Sequence, residues 1–91
     1  MLAYAAEIAA WLRASPDVIV GPSPRGSIAL VLASKVMAAA RGAEFVTPDD
    51  LQALAPAVLR HRIVLSTEAE IGGRDADGVV AAALAAVPVP R

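Results

Sequence analysis

Between Pro24 and Arg41 the chain is built almost wholly of helix formers, and from Ile28 to Ala33 every position is apolar. A helix without a polar face belongs in the middle of a bundle. The chain is therefore predicted to fold around this element. Its ends are marked. Ser23 suits the N-cap, where a hydroxyl accepts from a first-turn N–H. Pro24 suits the first helical position, and it pushes Ser23 out of the α region, as a cap requires. Lys35 and Arg41 lie toward the C-terminal half, where cations suit the helix dipole. Gly42 is the natural residue beyond the last turn. Arg25, in contrast, places a cation in the first turn, against the dipole. It reads either as a solvated arginine or as a cation that an arriving anion would complete, together with the free N–H groups.

The totals narrow the class. At 91 residues there is room for one domain. Hydrophobic residues make up 57% of the chain, but about a quarter of the chain is alanine, and only Tyr4, Trp11 and Phe45 are aromatic. Such a surplus of apolar surface over bulky core is expected of a module that docks against something else. Eight basic and nine acidic residues give a net charge of −1, which argues against nucleic acid as a partner. There is no cysteine for disulfides or thiol chemistry, and a single histidine does not build a zinc site. The charge-free runs Gly26–Ser34 and Gly78–Pro90 are shorter than the roughly 20 residues of a membrane helix. No basic-then-apolar signal opens the chain. No membrane insertion and a cytoplasmic location are expected.

In chain order, Leu2, Ala5, Ile8, Ala9 and Leu12 recur at helical spacing and predict a helix over Ala3–Ala14, ending before Pro16. Tyr4 and Trp11 share one face of it as packing residues. Asp17–Val20 is predicted to run extended into Gly21. Glu44-Phe45-Val46 is a strand candidate. Thr47, Pro48, Asp49 and Asp50 form a concordant helix start of cap, proline and acidic first turn. The apolar stripe Leu51, Leu54, Val58 and Leu59 continues past Pro56, which predicts a kink there rather than a stop. Arg60-His61-Arg62 reads as a cationic helix end or as a partner-binding patch. Ile63-Val64-Leu65 is a second strand candidate, expected to pair with Phe45-Val46. Thr67–Glu70 fits a capping box, but Gly72-Gly73 follows so closely that a turn or loop is predicted. Asp75 caps a last helix over Ala76–Ala86, with Val79, Val80, Ala83, Leu84 and Val87 inward. Val87–Arg91 reads as an extended tail.

Catalytic signatures are missing. No Walker A loop or G-x-G-x-x-G turn is present. Asp49-Asp50 and Glu68/Glu70 are explained by helix N-termini, and His61 has no defensible catalytic companions. Residue patterns alone support a mainly all-α module whose one pointed feature is Arg25.

Several blocks together resemble a known family. Ser23-Pro24-Arg25 precedes an alanine-rich helix. Phe45-Val46-Thr47-Pro48-Asp49-Asp50-Leu51 follows, then Leu54-Ala55-Pro56-Ala57-Val58-Leu59-Arg60-His61-Arg62-Ile63, and Val87-Pro88-Val89-Pro90-Arg91 closes the chain. In order and spacing this is similar to the C-terminal lid domain of MoxR-family AAA+ ATPases. The resemblance implies a small four-helix lid bundle, with room for a short two-stranded β pairing, spanning residues 1–91. It implies that Arg25 inherits the catalytic sensor 2 role, within a nucleotide-binding turn of Ser23, Pro24 and Arg25. The αβα core that binds ATP and Mg would precede Met1, so the 91 residues alone are not expected to be active. The implied partners are the chain's own core domain, a homo-oligomeric ring, commonly a hexamer, and von Willebrand A domain proteins. The implied work is chaperone-like maturation of protein complexes. Pro22 and Gly78 depart from the family pattern, which expects a small residue and an acidic helix former there. The alternative reading is a freestanding helical adaptor with no nucleotide role.

Overall fold

A computed structural model describes residues 1–90 of the chain. Five α-helices and a two-stranded sheet follow in the order α1 (Leu2–Ala14), β1 (Val18–Val20), α2 (Pro24–Ala40), α3 (Pro48–Leu59), β2 (Val64–Leu65), α4 (Thr67–Ile71) and α5 (Ala76–Ala86), with one 3-10 turn over Arg60–Arg62 between α3 and β2. The expected mainly helical bundle with a small β pairing is what forms. No helix among the described residues is long and apolar enough to cross a membrane.

The helical repeat of α1 buries Tyr4, Ala5, Ile8, Ala9 and Leu12 on one side. Leu2, expected on that side, lies beyond the first turn's cover and is exposed. Helix α2 packs against both α1 and α3, and α5 closes the other side against α1 and α3. Ile8, Leu12, Leu30, Leu51, Leu59, Val79 and Val80 meet in the centre, fully buried. Burying side chains of this kind contributes about 1.5–3 kcal/mol each before conformational entropy is counted.

Helix α3 starts where the sequence indicates. The Thr47 hydroxyl accepts from Asp50 N–H, and the Asp50 side chain accepts from Thr47 N–H in return. The helix runs through Pro56 unbroken to Leu59. Asp75 caps α5 through a 2.7 Å bond from Gly78 N–H. Gly42 follows α2 with φ +78°, a left-handed conformation that glycine adopts without strain.

Three expectations are corrected. The Ile63–Leu65 strand does not pair with Phe45-Val46. Its Val64–Leu65 segment lies antiparallel to β1, matching Val18 with Leu65 and Val20 with Val64 across an irregular register. Ser66 N–H extends this pairing to Asp17 O at 2.8 Å. Phe45 instead sits in a bend, 78% exposed. The loop from Gly42 to Thr47 is folded back by an Ala43 N–H to Ala38 O bond, which leaves it no extended edge.

The second correction concerns residues 67–71, predicted as a loop. They form the short helix α4, capped by Ser66 rather than Thr67. Both ends are satisfied: Ser66 Oγ accepts from Ala69 N–H, and Gly73, at φ +86°, turns the chain so that Arg74 N–H reaches Ala69 O. The third concerns α2, which is not surrounded. Ile28, Leu32 and Val36 stand exposed along one side of it. Beyond α5, Val87 is buried and Pro88–Pro90 have no regular structure. The last residue of the predicted tail, Arg91, lies outside the described residues.

Candidate functional site at the mouth of helix α2

The turn before α2 is held down by α1. Arg13 Nη1 donates a 2.7 Å bond to Pro22 O, and Pro22 itself is buried. Gly21 permits this approach. A Cβ there would stand 2.5 Å from Arg13 Cγ and 2.8 Å from its Cα, so no side chain fits. The departure at Pro22 thus acts as a packed, rigid lead into the helix, with φ fixed by the ring.

Ser23 takes the N-cap position in extended geometry, φ −77° and ψ 171°, and Pro24 occupies the first turn. The expected side-chain bond is absent, because the Ser23 hydroxyl caps nothing. Gly26 N–H is satisfied by Ser23 O at 2.9 Å. No side chain therefore occupies the first-turn donors, and no acidic residue stands in that turn.

Ser23, Pro24 and Arg25 are all exposed and adjacent at this mouth. Among the described residues, the ion pairs are Arg41–Asp50, Arg60–Asp77 and Arg74–Asp17. Arg25 takes part in none of them, nor in any side-chain hydrogen bond among the described residues. Its backbone is nevertheless anchored. The next two residues, Gly26 and Ser27, are buried, and Ser27 Oγ makes a long 3.5 Å contact to Ala5 O of α1. A guanidinium without a carboxylate partner, on a fixed backbone at a helix N-terminus, is suited to one oxyanion.

A second arginine comes close. A Cβ built on Gly26 would meet Arg62 Cδ at 3.3 Å and Pro22 Cβ at 3.2 Å, so the Arg62 stem crosses the first turn of α2. In the sequence, Arg62 reads as part of a cationic helix end or of a partner-binding patch, with nothing in that run to tie it to α2. The signal was Gly26 itself, since a glycine inside a helical pattern marks a close approach. His61 and Arg60 face another hollow, of about 330 Å³, with Asp75 and Asp77, and do not join the α2 mouth.

The donor set fits a phosphate oxygen. It does not fit a divalent cation, because a guanidinium and backbone N–H groups only donate hydrogen bonds and offer no lone pair to a metal.

Comparison with known proteins bears on the whole chain. A family profile described as the AAA lid domain matches residues 10–83. The uncharacterized protein YeaC of Bacillus subtilis is 44% identical over 87 residues, which is 96% of this chain and 27% of YeaC. Chaperone MoxR1 of Mycobacterium tuberculosis is 35% identical over 74 residues, 81% of this chain and 20% of MoxR1. A crystal structure of a candidate ATPase from Cytophaga hutchinsonii superposes with a TM-score of 0.91 at 26% identity, covering 99% of this chain and 30% of that one. The chain thus spans about a quarter of the length of the curated relatives it matches.

Proposed function

This chain belongs to the AAA lid domain family and is a lid of the MoxR type, and from that premise we propose that Arg25 is a sensor 2 arginine reading the γ-phosphate of ATP. An αβα core domain joined ahead of Met1 would bind the nucleotide and supply the Walker motifs and the magnesium ligands. Ser23 and Pro24 would shape the turn that presents Arg25 to it.

The observation that supports this reading is the exposed Arg25, unpaired among the described residues, on a backbone pinned by buried neighbours. A charge-assisted bond from such a group contributes about 1.5–3 kcal/mol. The bond is made to ATP and lost once the γ-phosphate leaves. Only a contact that differs between two states can shift their balance. The lid would therefore sit differently on ATP and on ADP, and that difference would drive work on a bound client. Chaperone-like maturation of protein complexes is the work proposed, in a ring, commonly a hexamer, beside von Willebrand A domain partners.

The test is Arg25→Ala in the full-length parent. ATP-over-ADP preference is expected to fall by about 10- to 150-fold, the equivalent of that bond energy, and ATP hydrolysis is expected to fall with it. Unchanged hydrolysis together with unchanged preference would remove the sensor role.

A further inference from the structure

Arg62 ends the 3-10 turn after α3, and its backbone is held on both sides. Leu59, three residues before it, and Ile63, the next residue, are buried in the core. From there its side chain crosses to α2 at Gly26, the residue that follows Arg25. A Cβ at Gly26 would stand 3.3 Å from Arg62 Cδ, 3.2 Å from Pro22 Cβ and 3.8 Å from Leu59 Cδ2. Pro22 and Leu59 are both buried, so the Arg62 stem lies against fixed apolar surface at the one residue of that turn with no side chain. Arginine stems cover apolar surface in this way and keep the guanidinium in water. Arg62 is exposed, and it makes no ion pair or side-chain hydrogen bond among the described residues. Arg60, two residues earlier, is different: it is paired with Asp77 at 3.4 Å and bonded to Pro56 O.

This placement bears on Arg25. Consecutive Cα atoms are about 3.8 Å apart, so the stem over Gly26 flanks the root of the Arg25 side chain. Both guanidinium groups are charged at any working pH, and like charges this close repel. The first turn of α2 holds no acidic residue to bridge them. The flank of the turn at Gly26 is therefore closed to Arg25 twice over, by the volume of the Arg62 stem and by the sign of its charge. The conformations left to Arg25 are those that extend away from the helix. A long side chain loses rotamer freedom when it binds. Excluding part of that freedom beforehand makes the loss smaller.

We propose that Arg62 is a positioning residue for Arg25: it fills the flank of the first turn at Gly26 and, by its like charge, holds the Arg25 guanidinium extended before any phosphate arrives. The proposal rests on the reading of Arg25 above for its purpose and adds what aims that arginine.

The test compares Arg62→Met, which keeps an apolar stem and removes the charge, with Arg62→Lys, which keeps both. In the full-length parent, Arg62→Met is expected to lower the ATP-over-ADP preference by about 2- to 12-fold, the range that ordering one long side chain covers. Arg62→Lys is expected to preserve it. In an Arg25→Ala background Arg62→Met is expected to change nothing further, because its effect passes through Arg25. An unchanged preference in Arg62→Met, an equal loss in both backgrounds, or an equal loss with lysine would overturn the proposal. A second readout needs no nucleotide. In the 91-residue chain, the nitrogen-15 order parameter of Arg25 Nε is expected to fall in Arg62→Met and to hold in Arg62→Lys, and an order parameter indifferent to Arg62→Met would equally overturn it. The two ideas separate cleanly. If Arg25→Ala leaves nucleotide preference intact while Arg62→Met loosens Arg25 Nε, the sensor reading fails and the positioning stands. If Arg25→Ala lowers the preference but Arg62→Met alters neither preference nor order, the positioning fails alone.

Discussion

Asp50 does more than begin a helix. Arg41, at the end of α2, donates to both carboxylate oxygens, at 3.1 Å through Nε and 2.6 Å through Nη2. Thr47 donates to the same carboxylate through its N–H at 2.9 Å and its hydroxyl at 3.1 Å. The Arg41 bond, followed by the Thr47 backbone bond, holds the Asp50 carboxyl below the usual aspartate range. A lowered folded value means that the unfolded chain binds the proton more readily. The stabilisation is complete above the ordinary value of about 4 and fades as pH falls through the lowered one. Asp50→Asn is expected to melt lower than wild type at pH 7, and to lose less between pH 7 and pH 3. Equal acid losses in the two proteins would place the acid sensitivity elsewhere. Gly21 is fixed by sterics instead. Gly21→Ala forces its Cβ against the Arg13 backbone, and overpacking of this kind costs about 1–3 kcal/mol. In a domain this small each kcal/mol lowers the melting temperature by about 4–8 °C, a loss that thermal denaturation would detect directly.

Among the elements, α3 contains its own test. Pro56 cannot donate to the carbonyl one turn before it, and an interior proline costs a helix about 3 kcal/mol relative to alanine. Proline also restricts the unfolded chain, which returns about 0.4–1 kcal/mol. Pro56→Ala is therefore expected to stabilise the chain by about 2 kcal/mol or slightly more in denaturant melts, and a loss of stability would show that the ring's packing outweighs the missing bond. The boundaries of α3 and α5 were legible because caps are local chemistry: Thr47-Pro48-Asp49-Asp50 and Asp75 act within one turn of themselves. The partner of β2 was not legible. A strand of two residues carries no register signal, and its mate was decided by where the end of α1 delivers Val18. Helix α4 is not legible because Gly72-Gly73 signals a stop, while the positive φ of Gly73 completes the helix end. Ser23, Pro24 and Arg25 were legible as the start of α2. Arg62, drawn to the same mouth by a tertiary contact, was marked only indirectly by Gly26. The open side of α2 was unreadable for a further reason. Hydropathy makes Ile28, Leu32 and Val36 apolar like the rest of the helix but does not say which side of it the bundle leaves uncovered.

At the scale of the whole molecule, the core and the candidate site divide the labour. The core is closed by α1, α2, α3 and α5 around Ile8, Leu12, Leu30 and Leu51, and it supplies rigidity rather than a ligand chamber. Arg25 stands outside it, on an exposed turn. One charge-assisted bond contributes about 1.5–3 kcal/mol, whereas even millimolar affinity requires about 4.1 kcal/mol. Association also costs translational and rotational freedom, which a single contact cannot offset. The 91-residue chain by itself is therefore expected to show no saturable ATP binding at about 1 mM by calorimetry or by amide chemical shifts around Arg25. In the full-length parent proposed above, the same bond would act on a nucleotide already held by other groups, so its whole energy could appear as discrimination between ATP and ADP. Saturable submillimolar binding of ATP by the isolated chain would mean that the lid carries a phosphate site of its own, and the division of labour argued here would have to be abandoned.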